Sequence, residues 1–158
     1  MNNKNNIKLV ATDIDGVWTD AKMYYTENGD FMKSFSTYDG MAVQLLREKN
    51  IETVIITSEN SNIVLQRAKK LKIKNVTIGE KNKLEKIKKI CADKKIDLSE
   101  VAYIGDDIND IDVLKEVGFS ALTSNSPIKD KIKVDYITNR KGGDGAFREF
   151  VDLILKEK

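Results

Sequence analysis

Two aspartates, Asp13 and Asp15, follow the apolar run Ile7–Thr12 and precede Gly16. In extended chain, residues two apart project the same way, so their carboxyl groups crowd one strand end. Such a pair repels unless a cation or a proton relieves it. Two solvated loop acids are the simpler alternative. A calcium loop fits poorly: it needs Asp or Asn where Val17 stands and Gly where Trp18 stands. Thr57 and Ser58 end a second apolar run, Thr53–Thr57. A hydroxyl and backbone N–H groups ahead of a helix hold an anion, and helix capping by Ser58 or Asn60 accounts for them equally well. A third run, Val101–Gly105, leads into Asp106-Asp107-Ile108-Asn109-Asp110. Acids at such a turn suit a hard cation such as Mg²⁺, or they complement a helix dipole. Lys83, alone, is one lysine among many. The ordered set is more specific than its parts. It supplies a nucleophile, an acid/base, an anion clamp, a cation and a metal holder, which together fit phosphoryl transfer through an aspartyl-phosphate.

These groups need elements to position them. Ile7–Thr12, Thr53–Thr57, Val76–Ile78 and Val101–Gly105 read as buried strands, with Ser120–Leu122 and Tyr136–Ile137 as weaker ones. Between them, Met41–Lys49, Asn60–Lys72, the stripe Leu84, Ile87, Ile90 and Cys91, the segment near Asp110–Val117, and Gly145–Leu155 carry helical spacing. Met23–Tyr25 and Phe31–Phe35 flank Glu27-Asn28-Gly29-Asp30, a hairpin signal. The pattern predicts an α/β fold: a Rossmann-like parallel sheet with helices on both faces, plus a β-hairpin after the first strand. Residues 1–158 read as a single domain. Ligands of such sheets bind beyond the carboxyl ends of the strands, which singles out Asp13, Thr57 and Asp106. The Lys-rich stretch Lys69–Lys95 is interleaved with apolar residues and Glu, and reads as solvated helix faces.

Composition removes competing chemistries. The 158 residues contain no His, which excludes a Ser-His-Asp triad, a His general base and His-ligated zinc. Cys91 is the one Cys, so no internal disulfide forms. A Cys-based phosphatase needs Arg six positions further on, where Asp97 stands. With 27 Lys and Arg against 25 Asp and Glu, net +2, nucleic acid is not the expected partner. No apolar run reaches the roughly 18 residues of a membrane span. The start, Met1-Asn2-Asn3-Lys4, has no signal-like apolar core. A cytoplasmic protein is the expectation.

The four segments resemble the four motifs of the haloacid dehalogenase superfamily of phosphatases, over essentially the whole chain. The resemblance implies that Asp13 is the phosphorylated nucleophile and that Asp15 protonates the leaving oxygen and then deprotonates water. It implies that Thr57 and Lys83 bind the phosphoryl oxygens, with Lys83 also holding Asp13. Mg²⁺ is implied on Asp13, the Asp15 carbonyl and Asp106, with Asp107 or Asp110 nearby. Only a hairpin fits between the first motif and the next helix, and only one helix and one strand between Thr57 and Lys83, so no cap domain is expected.

Thr12–Asp20, Val101–Asp110 and Lys141–Phe150 are similar to a capless subgroup acting on phosphorylated 3-deoxy-2-ulosonic acids. Its members are homotetramers whose hairpins associate, so a homotetramer is implied. Met23, Tyr24, Tyr25, Phe31, Met32 and Phe35 would give the hairpin a sticky surface, or pack on their own domain. Members acting on 3-deoxy-D-manno-octulosonate 8-phosphate usually carry Gly and then Arg or Lys after the motif Thr. Here Ser58-Glu59 follows instead, which resembles the nine-carbon branch that hydrolyses 2-keto-3-deoxynononate or N-acylneuraminate 9-phosphate, a reading that implies sialic acid biosynthesis. Arg attracts a sugar carboxylate, whereas Glu repels it and accepts from hydroxyls. Arg67 and Lys70 match the family's cationic positions and would act across a subunit boundary, or are ordinary solvated helix residues. Ser58 in place of Gly, and Asp144 where relatives often have Glu or Arg, are departures. Gly142-Gly143-Asp144-Gly145 reads as a loop ahead of the last helix.

The expected function is thus a Mg²⁺-dependent phosphatase of a nine-carbon sugar acid 9-phosphate. The alternatives are the octulosonate 8-phosphate phosphatase, a phospho-receiver module and a non-catalytic oligomerisation domain. A receiver would carry its Asp after the third strand, where Gly79 stands. The intact set Asp13, Asp15, Lys83 and Asp106 argues against a purely structural role.

Overall fold

The structure, a computed structural model, describes residues 4–156. The chain runs β1 (Leu9–Thr12), β2 (Tyr24–Thr26), β3 (Gly29–Met32), α1 (Thr37–Glu48), β4 (Glu52–Ile56), α2 (Asn62–Leu71) and β5 (Asn75–Thr77). It continues through α3 (Lys83–Lys94), β6 (Val101–Gly105), α4 (Ile111–Glu116), β7 (Phe119–Leu122), β8 (Tyr136–Ile137) and α5 (Ala146–Leu155). Six strands form one sheet in the order β5-β4-β1-β6-β7-β8, every pair parallel. From β1 the chain winds outward through β4 and β5. It then returns to β6 and winds the other way, so the order reverses between β1 and β6. A crevice opens at that switch point.

Alternation along β1 builds two cores. Val10 faces a cluster with Leu46 of α1, Val64 of α2 and Phe150 of α5. Leu9 and Ala11 face the opposite cluster, with Ile87 and Cys91 of α3 and Val113 of α4. Both faces of the sheet are therefore covered, which is why its strands are apolar without alternation. The α/β sheet, its flanking helices and the hairpin expected from the sequence are all present.

The differences are local. β2 and β3 pair antiparallel with Thr26 opposite Gly29, so Gly29 and Asp30 join the strand and the turn tightens to Glu27 and Asn28. Helix α1 begins at Thr37, not Met41, because the Ser36 hydroxyl accepts from the Tyr38 N–H and caps it. Gly40 breaks the apolar pattern inside that first turn. A Cβ there would lie 2.9 Å from an Arg67 guanidinium nitrogen, so glycine is what lets Arg67 approach. Among the described residues, no helix is long and apolar enough to cross a membrane.

Candidate active site

β1 pairs in register with both neighbours: Thr12 lies opposite Ile55 of β4 and Ile104 of β6. Asp13 is the next residue after Thr12, and Thr57 and Asp106 each stand one position further along, two beyond Ile55 and Ile104. Asp13 therefore lies at the end of the central strand, flanked by Thr57 and Asp106 at the ends of its two neighbours. They line a cleft of about 220 Å³ with Asp15, Ala21, Ser58, Glu59, Asp107 and Asn109. A larger hollow of about 500 Å³, with Arg47, Lys72 and Lys94 in its walls, lies where β4 and β5 begin. It contains none of these acids, so the smaller cleft is the candidate site.

The loop after β1 is shaped by its own sequence. The Ile14 carbonyl accepts from the N–H groups of Val17, Trp18 and Thr19, curling the chain back on itself. Trp18 is buried, donates from Nε1 to Thr12 Oγ1 at 3.1 Å and packs on Phe147 at 4.9 Å between ring centres. Gly16 has φ +85°, and a Cβ there would sit 1.7 Å from Asp106 Oδ2. Only glycine admits both that backbone and that carboxylate. Gly142 and Gly143 are not a free loop. The Gly143 N–H donates to the Val17 carbonyl at 3.0 Å, and a Cβ on Gly142 would lie 1.9 Å from the Gly16 carbonyl oxygen. The glycine-rich segment thus braces the Asp15 loop of its own chain.

A buried ion network underlies the cleft. Lys83, at the start of α3, places Nζ 2.8 Å from Asp13 Oδ2 and 2.7 Å from Asp110 Oδ1. Asp13 Oδ1 accepts from the Ile14 N–H at 2.7 Å. Asp110 is fully committed: Oδ1 also accepts from the Tyr103 hydroxyl, and Oδ2 accepts from the N–H groups of Asp106 and Asp107. It fixes the turn after β6 and the Lys83 ammonium, so it is not placed to give an oxygen to a metal. Asp107 caps the short turn that follows, accepting from the Ile108 N–H. Tyr103 was invisible as a functional residue, because it reads as one more apolar position of a buried strand.

Burial sets the electrostatics. Desolvation, reinforced by Asp110, raises Asp13 to about 7 despite Lys83. Asp106 is raised to about 8 by desolvation and by the charges of Asp13, Asp110 and Asp107. Desolvation opposes the Lys83 charge, but Asp13 and Asp110 outweigh it and hold that pKa above the ordinary lysine value. Carboxylate oxygens of Asp13, Asp106 and Asp110 all lie within 4.8 Å of one another. One lysine does not balance three acids, and with Asp110 committed to its own donors, the carboxylate oxygens of Asp13 and Asp106 suit a hard divalent cation.

Asp15 has a partner that sequence reading missed. Lys33, directly after β3, places Nζ 2.8 Å from Asp15 Oδ1 and 3.6 Å from Asp30 Oδ2. Burial disfavours the Lys33 charge, yet Asp15 and Asp30 more than offset it and raise its pKa. Asp15 Oδ2 is buried and has no hydrogen-bond partner among the described residues.

The candidate substrate residues divide. Thr57 is buried, and its backbone is held by Thr77 and Glu80 while it lines the cleft. Ser58 donates its hydroxyl to the Glu80 carbonyl at 3.1 Å and accepts from Asn109 at 3.0 Å, tying two strand-end loops together. Glu59 is exposed at the cleft. Arg67 and Lys70 do not line the cleft of their own chain. Arg67 lies 5.6 Å over the Phe35 ring and donates to the Ser36 carbonyl at 3.4 Å, while Lys70 is exposed on α2.

A family model for haloacid dehalogenase-like hydrolases matches residues 48–150. The chain belongs to that family. The expected enzyme class, a phosphoric monoester hydrolase of the haloacid dehalogenase-like family, stands with it. The chain is 35% identical over 151 residues to the 3-deoxy-D-manno-octulosonate 8-phosphate phosphatase of Haemophilus influenzae, covering 96% of this chain and 84% of that protein. The crystal structure of the 3-deoxy-D-manno-octulosonate 8-phosphate phosphatase from Moraxella catarrhalis, in complex with a magnesium ion, a phosphate ion and a KDO molecule, superposes with a TM-score of 0.93. Identity there is 37%, covering 98% of this chain and 89% of that one. A cobalt-bound octulosonate 8-phosphate phosphatase from Haemophilus influenzae gives a TM-score of 0.92 at 35% identity, covering 97% and 90%. These haloacid dehalogenase-like relatives carry eight-carbon names; none of the three carries the nine-carbon assignment expected from Glu59.

Proposed function

We propose that this haloacid dehalogenase-like hydrolase dephosphorylates a 3-deoxy-2-ulosonic acid phosphate, with 3-deoxy-D-manno-octulosonate 8-phosphate as the substrate. The near full-length similarity to octulosonate 8-phosphate phosphatases supports the substrate. The observation that carries the chemistry is Asp13 at a strand end, tied to Lys83, with Asp15 two residues away and Asp106 across the switch point.

In this reading an Asp13 carboxylate oxygen attacks phosphorus and the bond to the sugar oxygen breaks. Asp15 gives its proton to that leaving oxygen. It then takes a proton from water, which attacks the aspartyl-phosphate phosphorus and releases inorganic phosphate and Asp13. The Thr57 hydroxyl and the Lys83 ammonium face the transferring phosphoryl oxygens, and Lys83 offsets charge shared with Asp13. Asp13, Asp106 and the Asp15 carbonyl would hold Mg²⁺. When bound, that ion neutralises the crowded acids and the phosphoryl charge. The exposed Tyr25 and Phe31 of the hairpin, 64% and 67% accessible, give a homotetramer an apolar face for assembly. Arg67 and Lys70 would then serve a neighbouring subunit's cleft.

Glu59 supports a second reading. It lines the cleft where a cation would greet the octulosonate carboxylate, and it suits the hydroxyl-rich nine-carbon 9-phosphates. The deciding experiment compares kcat/KM with Mg²⁺ for 3-deoxy-D-manno-octulosonate 8-phosphate and 2-keto-3-deoxynononate 9-phosphate, with Asp13→Asn as the blank. The eight-carbon substrate is expected to be preferred. Preference for the nine-carbon one transfers the assignment to the Glu59 reading, and turnover of neither refutes the substrate class.

A further inference from the structure

The hairpin contributes more than an outer surface. Tyr25, Phe31 and Met32 point outward and are exposed, whereas the Lys33 side chain that follows them is wholly buried. Its ammonium lies between two carboxylates: Asp15 Oδ1 at 2.8 Å and Asp30 Oδ2 at 3.6 Å. Asp30 is itself held, because Oδ2 accepts from the Ser61 hydroxyl at 2.7 Å. Ser61 precedes α2, so a continuous polar chain runs from the head of that helix through the hairpin to Asp15. Lys33 does not line the cleft; Asp15 does.

From this arrangement we infer that Lys33 is a positioning residue for the reaction: it clamps Asp15 Oδ1 and so reserves Oδ2 for proton transfer. A carboxyl group rotates about its terminal torsion in a broad, two-fold well and has two nearly equivalent oxygens. A fixed donor on one of them breaks that equivalence. Here the other oxygen, Oδ2, is buried beside the cleft and has no hydrogen-bond partner among the described residues, which leaves it as the oxygen free to carry a proton. The clamp is delivered by the hairpin, so the seating of that hairpin sets the aim of the acid. This inference rests on the reading of Asp15 as acid and base.

Leaving-group chemistry separates positioning from mere structural support. An alkyl oxygen of a sugar needs a proton as it departs, and p-nitrophenolate does not. The value of kcat/KM reports only steps through the first irreversible one, transfer to Asp13. For Lys33→Met, kcat/KM on the better sugar-acid phosphate is expected to fall about 10- to 100-fold, within the usual range of acid–base assistance. On p-nitrophenyl phosphate it should stay near wild type. Lys33→Gln, which keeps a donor, should recover part of the sugar-phosphate loss, and it carries the same comparison if the Met variant does not fold. An equal loss on both substrates, or no loss on either, overturns the inference. Asp15→Asn is the reference. If it shows the selective loss and the Lys33 variants do not, only the clamp is refuted. If Asp15→Asn keeps full sugar-phosphate turnover, the acid–base reading itself falls.

Discussion

Replacing Lys83 with Met tests the electrostatic frame of the cleft independently of any substrate. The side chain is 1% exposed, between Asp13 at 5% and Asp110 at 0%. Removing one partner of a buried ion pair typically costs about 3–5 kcal/mol, because the remaining charge is left uncompensated. At roughly 2–4 °C per kcal/mol for a chain of this size, the melting temperature should fall by about 6–20 °C. The loss should depend on pH with a definite sign. With Lys83 present, Asp13 is already raised to about 7, and removing the ammonium raises it further. The native variant then binds more protons than the unfolded chain, so its stability falls as pH rises, by at most about 1.4 kcal/mol per pH unit for each proton. At acidic pH the stranded carboxyl is protonated and much of the penalty disappears. Urea melts in chelator at pH 5.5 and 8 measure this directly. A destabilisation under about 1 kcal/mol at pH 8 would refute the buried network as a stabilising unit. So would a loss of the same size at both pH values.

Two further outcomes concern the cation site. Gly16→Ala puts a Cβ 1.7 Å from Asp106 Oδ2 on a backbone at φ +85°, and should weaken Mg²⁺ binding and cut kcat/KM by about 10²-fold; binding measured by calorimetry and unchanged turnover would contradict the geometry. Asp13 at about 7 and Asp106 at about 8 both hold protons above the ordinary carboxylate value. The metal-free protein should therefore lose stability as pH rises toward 8, while its apparent Mg²⁺ affinity increases over the same interval because the ion displaces those protons. Titration of Mg²⁺ at pH 6 and pH 8 checks the sign, and a flat affinity would count against these two acids as ligands.

Much of the molecule is written locally. The alternation of short apolar runs with helical stripes depends on neighbours a few residues away, so strands such as Val101–Gly105 and Tyr136–Ile137 were legible to the residue. The positions of Asp13, Thr57 and Asp106 followed, because a parallel sheet with helices on both faces has its ligands at the strand ends. The hairpin was also legible, since turn chemistry is local.

The family resemblance implied the Lys83–Asp13 pair, but the other partners of the buried charges were not legible. Lys33 reaches Asp15 across 18 positions, and Lys83 reaches Asp110 across 27. In the sequence each is one lysine among many. Tyr103 gave no polar signal from inside a hydrophobic strand, and the bracing of the Asp15 loop by Gly142 and Gly143 joins opposite ends of the chain. The sequence alone determined which residue types stand at the strand ends, because burial periodicity is a property of adjacent residues. Only the tertiary structure decided that Lys33 faces Asp15 and that Lys83 also faces Asp110, because a buried charge is settled by whatever the fold brings within hydrogen-bonding distance.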